Sequence, residues 1–258
     1  MPFIAYKNIE IHYTSLGKGS VVVLLHGFLE SSTMWREIVP VLAQKHRVIT
    51  IDLLGHGKTA NLAYVHTMEM QAELVHAVLA KLKINKYCLI GHSMGGYIAL
   101  ALAKLYPEGI SQLVLMNSTS LADSPERLLN RDRAIAMIKQ NKETFIKMAI
   151  PNLFSAASRK LHNKTIVALK DEALAMSTQG IIAALEGMKV RANTVEILQK
   201  TTFPILFIAG EKDTVLNYRN LLLETANTKV DFRTLATGHM THITNTTELL
   251  ELLKAFLN

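Results

Sequence analysis

Residues 88–97, which read Cys-Leu-Ile-Gly-His-Ser-Met-Gly-Gly-Tyr, constrain the fold more than any other stretch of the chain. An apolar run typical of a strand stops at Ser93, and small residues after it allow a helix to begin at once. Gly91 and Gly95 complete a Gly-x-Ser-x-Gly frame. This frame predicts a sharp strand-to-helix turn that strains the backbone of Ser93 and projects its Oγ at the top of a sheet. A Cβ at either glycine would clash, because strand and helix nearly touch there.

Apolar runs of strand length recur along the chain and alternate with helical patterns. The predicted strands are residues 3–6, 9–13, 21–25, 48–51, 87–90, 113–116, 204–209 and 230–235, and helices are expected at 34–43, 68–81, 94–105 and 246–256. Runs such as Val21–Leu25 are apolar on both faces, which is typical of strands in a sheet covered on both sides. The pattern predicts an α/β fold with a doubly wound, mostly parallel sheet whose ligand sites lie at the carboxyl ends of the strands.

From residue 119 the alternation of strand and helix patterns stops, and no buried strand is predicted for about eighty residues. A helix start at Ser124-Pro125-Glu126 is followed by helical patterns at 132–150, 158–176, 178–189 and 194–199. We interpret residues 119–201 as an inserted helical cap, and residues 1–118 and 202–258 as one core domain. Most of the cap's large apolar side chains are expected to pack within the protein, and some to line a pocket above Ser93. These are Met137, Phe145, Met148, Phe154, Met176, Ile181, Ile182 and Met188.

The basic excess is small and dispersed, with 28 Lys and Arg against 21 Asp and Glu, a formal net charge of +7. The densest cluster is Arg127, Arg131 and Arg133, interrupted by Asp132 and without interleaved aromatic residues. Such a cluster indicates a solvated helix face rather than a nucleic-acid site, so no nucleic-acid partner is expected.

Cysteine content and the hydropathy pattern bear on the protein's compartment. The single cysteine, Cys88, lies in an apolar strand and is expected to be a buried thiol that forms no internal disulfide. No basic segment followed by an apolar run opens the chain, and no apolar segment approaches membrane-spanning length. The expected localisation is therefore cytoplasmic.

A serine hydroxyl becomes an effective nucleophile only when a base removes its proton as it attacks. Ser93 therefore needs an imidazole nearby, since imidazole titrates in the right range. His239 follows the last predicted strand, and Gly238 permits a tight loop before it. His242, three residues further on, is the competing candidate.

The imidazole in turn needs a carboxylate that fixes its tautomer and stabilises its positive charge. Asp213 follows a predicted core strand and precedes the histidine in the chain. Glu211 lies two residues nearer that strand, and Asp123 follows another strand, so both are alternatives. We prefer Asp213.

Two backbone N–H groups suffice to stabilise a developing oxyanion. The N–H of Met94 follows the nucleophile, and the N–H of Phe28 follows His26-Gly27 at another strand end. His26, His56 and His92 are interpreted as structural residues whose rings bond backbone groups around the site. The remaining histidines lack paired ligand spacing, so we assign neither a metal nor another cofactor.

Five segments together resemble the α/β-hydrolase-fold serine hydrolases of the compact bacterial type, a group that includes esterases and cofactor-free haloperoxidases. They are His26-Gly27-Phe28, residues 52–57 (Asp-Leu-Leu-Gly-His-Gly), residues 91–96, Gly210-Glu211-Lys212-Asp213 and Gly238-His239. The resemblance implies Ser93 as nucleophile, Asp213 as acid, His239 as base, and the amides of Phe28 and Met94 as oxyanion hole. The strand-to-helix turn at Gly91–Gly95 corresponds to the nucleophile elbow of this family, called the elbow below. Serine at the elbow departs from the dehalogenases and epoxide hydrolases of this fold, which carry aspartate there.

The expected activity is hydrolysis of a small or medium hydrophobic carboxylic ester through an acyl-enzyme on Ser93, since no charge clamp or cofactor motif is visible. A thioesterase, lactonase, carbon–carbon bond hydrolase or perhydrolase would use the same triad. A slow-turnover ligand receptor on this fold is the alternative from another class. The expected partner is a small ester-like substrate, and the sequence leaves the oligomeric state open.

Overall fold

The computed structural model describes residues 2–258, and its centre is one eight-stranded sheet with the strand order β1-β2-β4-β3-β5-β6-β7-β8. The strands are β1 Phe3–Tyr6, β2 Ile9–Leu16, β3 Ser20–Leu25, β4 His46–Ile51, β5 Tyr87–His92, β6 Ile110–Met116, β7 Ile205–Gly210 and β8 Asp231–Leu235. β2 pairs antiparallel with both β1 and β4, and every pair from β4 to β8 is parallel. The predicted α/β class with a doubly wound, mostly parallel sheet is confirmed.

Eleven α-helices surround the sheet in residues 2–258. They are α1 Val39–Leu42, α2 Met68–Lys81, α3 Met94–Leu105, α4 Pro125–Asn152, α5 Ala156–Leu161, α6 Asn163–Ala175, α7 Thr178–Lys189, α8 Val195–Lys200, α9 Tyr218–Thr225, α10 Thr241–Thr244 and α11 Thr246–Leu257. The predicted helix at 34–43 is wrong. A 3₁₀ turn at Ser32–Trp35 and the single turn α1 replace it, and Pro40 sits in the first turn of α1, where its missing N–H is tolerated.

The two faces of the sheet carry separate hydrophobic clusters. Along β3, Val22 and Leu24 pack on the side of Trp35 and α11, whereas Val23 and Leu25 pack on the side of α2 and α3. This alternation follows from the two-residue period of a strand. Cys88 is buried as expected, and burial raises the pKa of its thiol. Within residues 2–258, none of the helices has the length and apolarity needed to cross a bilayer.

Helices α4–α8, which we call the cap helices, lie between β6 and β7. α4 is kinked at Asn141, whose φ of −157° and ψ of 94° are not helical. α7 approaches the loops of the sheet backbone to backbone, because a Cβ on Gly180 would lie 2.7 Å from the Cα of Gly55. Helix α7 is therefore in direct contact with the loop that follows β4, while the division of the chain into a core domain and a cap domain stays a prediction.

Candidate active site

Ser93 stands at the end of β5 and at the start of α3, with φ of 50° and ψ of −114°. This is the strained conformation that the Gly-x-Ser-x-Gly frame predicts. A Cβ on Gly91 would lie 2.4 Å from the carbonyl oxygen of Gly95, so the clash across the turn is as expected. A Cβ on Gly95 would instead meet the carbonyl oxygen of Leu25 in β3, at 2.3 Å.

The structure brings Ser93, His239 and Asp213 together in a hydrogen-bonded chain. His239 Nδ1 lies 2.8 Å from Asp213 Oδ2, and His239 Nε2 lies 3.0 Å from Ser93 Oγ. Because a carboxylate only accepts, Nδ1 carries the ring proton and donates it to Asp213. Nε2 is then the acceptor for the Ser93 hydroxyl, which is the arrangement that proton removal from Oγ requires.

Asp213 is held by groups from three directions. The backbone N–H groups of Val215 and Leu216 donate to its Oδ1 at 2.7 and 3.0 Å, and Asn117 Nδ2 donates to its Oδ2 at 3.0 Å. Burial alone would raise the pKa of Asp213, but His239 and the backbone donors lower it below its ordinary value. Sequence reasoning missed Asn117, which comes directly after β6 and has φ of 44°.

The competing candidates have other partners. His242 is buried with its Nε2 3.2 Å from Glu30 Oε1, and Glu211 is exposed to solvent. Asp123 is buried and forms ion pairs with arginine side chains. The imidazole at Ser93 is that of His239, and the carboxylate at this imidazole is that of Asp213.

The backbone N–H groups of Phe28 and Met94 are free for a ligand. Within residues 2–258, neither group donates a hydrogen bond. His26 fixes the loop that carries Phe28, since its Nδ1 donates to the Gly27 carbonyl at 2.8 Å and its Nε2 accepts from Leu53 N–H at 2.9 Å. One ring nitrogen must stay unprotonated for this, and burial lowers the pKa of His26 accordingly. Its predicted structural role is thus visible in its contacts.

Glu30 and His92 form a buried ion pair beside these groups, which sequence reasoning missed. His92 Nε2 lies 3.0 Å from the His239 carbonyl and its Nδ1 lies 3.0 Å from Glu30 Oε2. Both ring nitrogens face atoms that only accept, so both donate and the ring is an imidazolium. Burial opposes this charge, but Glu30 raises the pKa of His92. Gly27 N–H also donates to Glu30 Oε2 at 3.1 Å, so this ion pair connects the Phe28 loop, the elbow and the His239 loop.

Glu30, His92 and His242 are also the set whose donor chemistry suits a metal ion. Their ligand atoms lie within 4.8 Å of one another, although the residues are far apart in the sequence. Carboxylate and imidazole ligands suit zinc and other divalent transition metals. Glu30 lies 3.0 Å from the His92 ring, in a direct ion pair, and 3.2 Å from the His242 ring. A metal would have to replace both of these contacts.

A cavity of about 110 Å³ contains Ser93 and His239. Apolar side chains form much of its wall, and they are Phe28, Leu29, Ala149, Leu153, Met188, Val215 and Met240. Of the apolar cap residues named from the sequence, Met188 lines this cavity, whereas Phe154, Met176 and Ile181 are buried in the hydrophobic core.

Arg127 and Arg131 line the same cavity, which corrects their interpretation as a solvated helix face. Their side chains are 30% and 13% exposed, and both pair with the buried Asp123. The pairing partner lies four and eight residues earlier in the chain, on the loop before α4. Arg133, by contrast, is exposed as predicted.

Comparisons with known proteins agree with this geometry. Residues 20–246 match the family model described as alpha/beta hydrolase fold. A 2-hydroxy-6-oxo-6-(2'-aminophenyl)hexa-2,4-dienoic acid hydrolase of Metapseudomonas resinovorans is 27% identical over 83% of this chain and 75% of its own length. A putative 2-succinyl-6-hydroxy-2,4-cyclohexadiene-1-carboxylate synthase of Bacillus subtilis is 33% identical over 74% of this chain and 73% of its own.

Among solved structures, a thermophilic esterase from Thermogutta terrifontis superposes with a TM-score of 0.90 at 26% identity, covering 99% of this chain and 96% of that one. The elbow, the strand order and the extent of the family match all agree. The chain belongs to the α/β hydrolase fold family, as its sequence motifs indicate, and it is a hydrolase of the compact bacterial type.

Proposed function

We propose that this hydrolase cleaves small carboxylic esters by acyl transfer to Ser93. The observation that carries the proposal is the unbroken hydrogen-bonded chain from Ser93 Oγ through both nitrogens of His239 to Asp213. A serine with an acceptor imidazole at hydrogen-bond distance, itself oriented by a carboxylate, is the arrangement that activates an alcohol for acyl transfer.

In the proposed first step, Ser93 Oγ attacks the ester carbonyl while its proton passes to His239 Nε2. The carbonyl oxygen gains negative charge beside the free N–H groups of Phe28 and Met94, each of which contributes about 3 kcal/mol in the transition state. Asp213 stabilises the imidazolium. His239 then protonates the leaving alcohol, which departs and leaves the acyl group on Ser93.

In the second step, His239 takes a proton from a water molecule as that water attacks the acyl-enzyme. The same oxyanion donors serve again, and the collapse returns the proton to Ser93 Oγ and releases the carboxylic acid. Atoms balance as one ester and one water giving one acid and one alcohol, so the cycle uses groups of this chain alone.

The cavity supports a small substrate with an apolar skeleton. Its volume of about 110 Å³ is below the roughly 300–1,000 Å³ of pockets for drug-sized ligands. Apolar side chains from the Phe28 loop and from the C-terminal end of α4, such as Ala149, favour hydrocarbon over sugar or peptide groups. Thioesters, lactones and carbon–carbon bonds beside a carbonyl need the same nucleophile, so the leaving group distinguishes these activities.

The test is the initial rate on 4-nitrophenyl esters from acetate to long acyl chains, with Ser93→Ala beside the wild-type protein. We expect turnover to peak at a short acyl chain and to fall by at least about 10³-fold in Ser93→Ala. The variant should unfold at the same temperature as the wild type, because a hydroxyl is lost without a change in packing.

Two results would contradict the proposal. Ester hydrolysis that survives in Ser93→Ala would remove Ser93 from the role of nucleophile. No turnover of any ester, with both proteins folded, would favour carbon–carbon cleavage or ligand binding with at most a few slow events per molecule.

A further inference from the structure

Three arginine side chains share one carboxylate at the wall of the cavity. Arg127 Nε lies 3.0 Å from Asp123 Oδ1, Arg191 Nη1 lies 2.8 Å from the same oxygen, and Arg131 Nε bonds Asp123 Oδ2. Burial would raise the pKa of Asp123, but Arg131 and Arg191 lower it, so the carboxylate is ionised. Three guanidinium charges against one carboxylate leave two positive charges without a counter-charge in this cluster.

Of the three, Arg191 already has a structural role. It is 6% exposed, donates to the carbonyls of Met188 and Leu121, and lies with its Cζ 4.1 Å from the ring centroid of Tyr97. Its hydrogen bonds and its stacking tie the end of α7 to α3 and to the loop after β6. Arg191 does not line the cavity, whereas Arg127 and Arg131 do. Arg127 Nη1 also donates to the Val215 carbonyl at 3.1 Å, but a neutral carbonyl supplies no counter-charge, so the positive charge at the cavity wall is that of Arg127 and Arg131.

Arg127 and Arg131 are four residues apart in α4, so their side chains project from the same helix face. Arg131 Nη1 points at the sulfur of Met188, 3.4 Å away, and thioether sulfur is a weak acceptor. Because Arg127 and Arg131 share the single negative charge of Asp123 with Arg191, a second anion at this helix face would offset positive charge that is held partly out of water. A carboxylate here would accept from Arg131 Nη1, in place of its weak contact with sulfur, and from the Arg127 guanidinium beside it.

The other anionic group at the cavity does not supply that charge. Glu30 lines the cavity, but its Oε2 accepts from the His92 ring and from Gly27 N–H, and its Oε1 faces His242. Its negative charge is therefore balanced by the imidazolium of His92 and is not available to the arginines.

We infer that the substrate cleaved at Ser93 carries a carboxylate in addition to its scissile ester, and that Arg127 and Arg131 bind this carboxylate. The inference rests on the proposed ester hydrolysis and names its substrate class. A substrate of this kind has an apolar skeleton along Leu153 and Met188, its reacting carbonyl at Ser93 and its anionic end at α4.

The first experiment compares mono-4-nitrophenyl esters of succinate, glutarate and adipate with neutral esters in which an isopropyl group replaces the free carboxylate. Each pair has nearly the same shape and differs in charge, and rates are corrected for hydrolysis without enzyme. We expect kcat/KM to favour the anionic ester by about tenfold or more at one chain length, and this preference to fall as salt is added.

Variants then assign the preference to residues. The anionic-to-neutral ratio of kcat/KM should fall by about tenfold in Arg127→Gln and in Arg131→Gln, and less in Arg127→Lys, which keeps the charge but loses the planar fork. Arg133→Gln is the matched control, because Arg133 lies on the same helix but is exposed, and its ratio should equal that of the wild type. Arg127→Gln keeps the test available if loss of Arg131 beside the buried Asp123 prevents folding.

A binding measurement separates this inference from the proposed function. Calorimetric titration with glutarate should show binding to the wild-type protein and to Arg133→Gln, weakened about tenfold or more in Arg127→Gln. Such binding without Ser93-dependent turnover of any ester would support the anion site and contradict the proposed ester hydrolysis. Ser93-dependent hydrolysis of neutral esters, with no anionic preference and no arginine-dependent glutarate binding, would overturn the anion site and leave the proposed function standing.

Discussion

His239 and His242 lie three residues apart, yet the structure gives their imidazoles different partners. His239 bridges Ser93 and Asp213, whereas His242 faces Glu30 from a fully enclosed position. Burial lowers the pKa of His242 although Glu30 opposes this, so the buried ring is neutral and packs beside Glu30.

We expect His239→Gln to lower kcat on a 4-nitrophenyl ester by about 10²–10⁴-fold, because it removes the proposed general base. His242→Gln, which keeps a polar group near Glu30, should remain within about tenfold of the wild type. Steady-state rates on the same ester, with circular dichroism to verify folding, provide the comparison. The reverse order of effects would assign the base to His242.

The proposed triad was predictable from the sequence because each member follows its own strand in a parallel sheet. Strand ends meet at one edge, so Ser93, Asp213 and His239 are brought together by topology alone. Glu30 and Asn117 were not predictable in the same way. Their roles depend on loop conformations that place them against His92 and Asp213, and no spacing rule in the sequence records those contacts.

The arginines of α4 lie in a helix, as predicted, but two of them, Arg127 and Arg131, line the cavity instead of a solvated face. Arg127, Arg131 and Arg133 were recognised as the densest basic cluster, and the helix that carries them was expected. Which face of α4 is turned toward the cavity at Ser93 was not expected. The kink at Asn141 and the packing of α4 against α6 and α7 set the direction of the helix. Such contacts between elements are decided by tertiary packing rather than by periodicity.

The close approach of α7 to the loop after β4 depends on two glycines, Gly180 and Gly187, which lie seven residues apart on one helix face. A Cβ on Gly180 would meet the backbone of Gly55, and a Cβ on Gly187 would lie 1.7 Å from the carbonyl oxygen of His66. The N–H of His66 also donates to the Ala183 carbonyl at 2.9 Å. The helix therefore rests on the loops that follow β4, and its distance from them is fixed by the absence of side chains.

Gly187→Ala is a sharp test of this contact. Alanine at an unconstrained helix position stabilises by up to about 1 kcal/mol relative to glycine, but here overpacking should lower the free energy of unfolding by about 1–3 kcal/mol. Urea unfolding measures the difference, and Gln179→Ala on the exposed face of α7 is the control that reports helix propensity without the contact. A more stable Gly187→Ala protein would show that α7 does not rest on this loop.

The buried histidines His56 and His66 make the stability of the folded protein depend on pH. Burial lowers the pKa of His56 to about 3, and burial lowers that of His66 to about 4. His66 Nε2 accepts from the N–H groups of Leu62 and Ala63 at 3.3 and 3.4 Å, which a proton on that atom would break. Both rings are thus neutral in the folded protein well below the pH at which they take up a proton in the unfolded chain.

Whether stability rises or falls with pH depends on which state, folded or unfolded, binds more protons. Between pH 6.5 and about 4 the unfolded state binds these two protons and the folded state does not, so stability falls as the pH is lowered. Each histidine contributes a slope of about 1.4 kcal/mol per pH unit. Burial lowers the pKa of His26 as well, which adds to the slope. His92, with its raised pKa, loses its contribution above pH 6.5 instead.

We therefore expect the free energy of unfolding, measured by urea titration across this pH window, to decrease by at least about 3 kcal/mol per pH unit as acid is added, which is the share of His56 and His66. His66→Gln should reduce the slope by about one proton's share, because glutamine accepts the same backbone hydrogen bonds without titrating. An unchanged slope in His66→Gln would mean that its ring is protonated in the folded protein, and the hydrogen bonds from Leu62 and Ala63 would then have to be absent in solution.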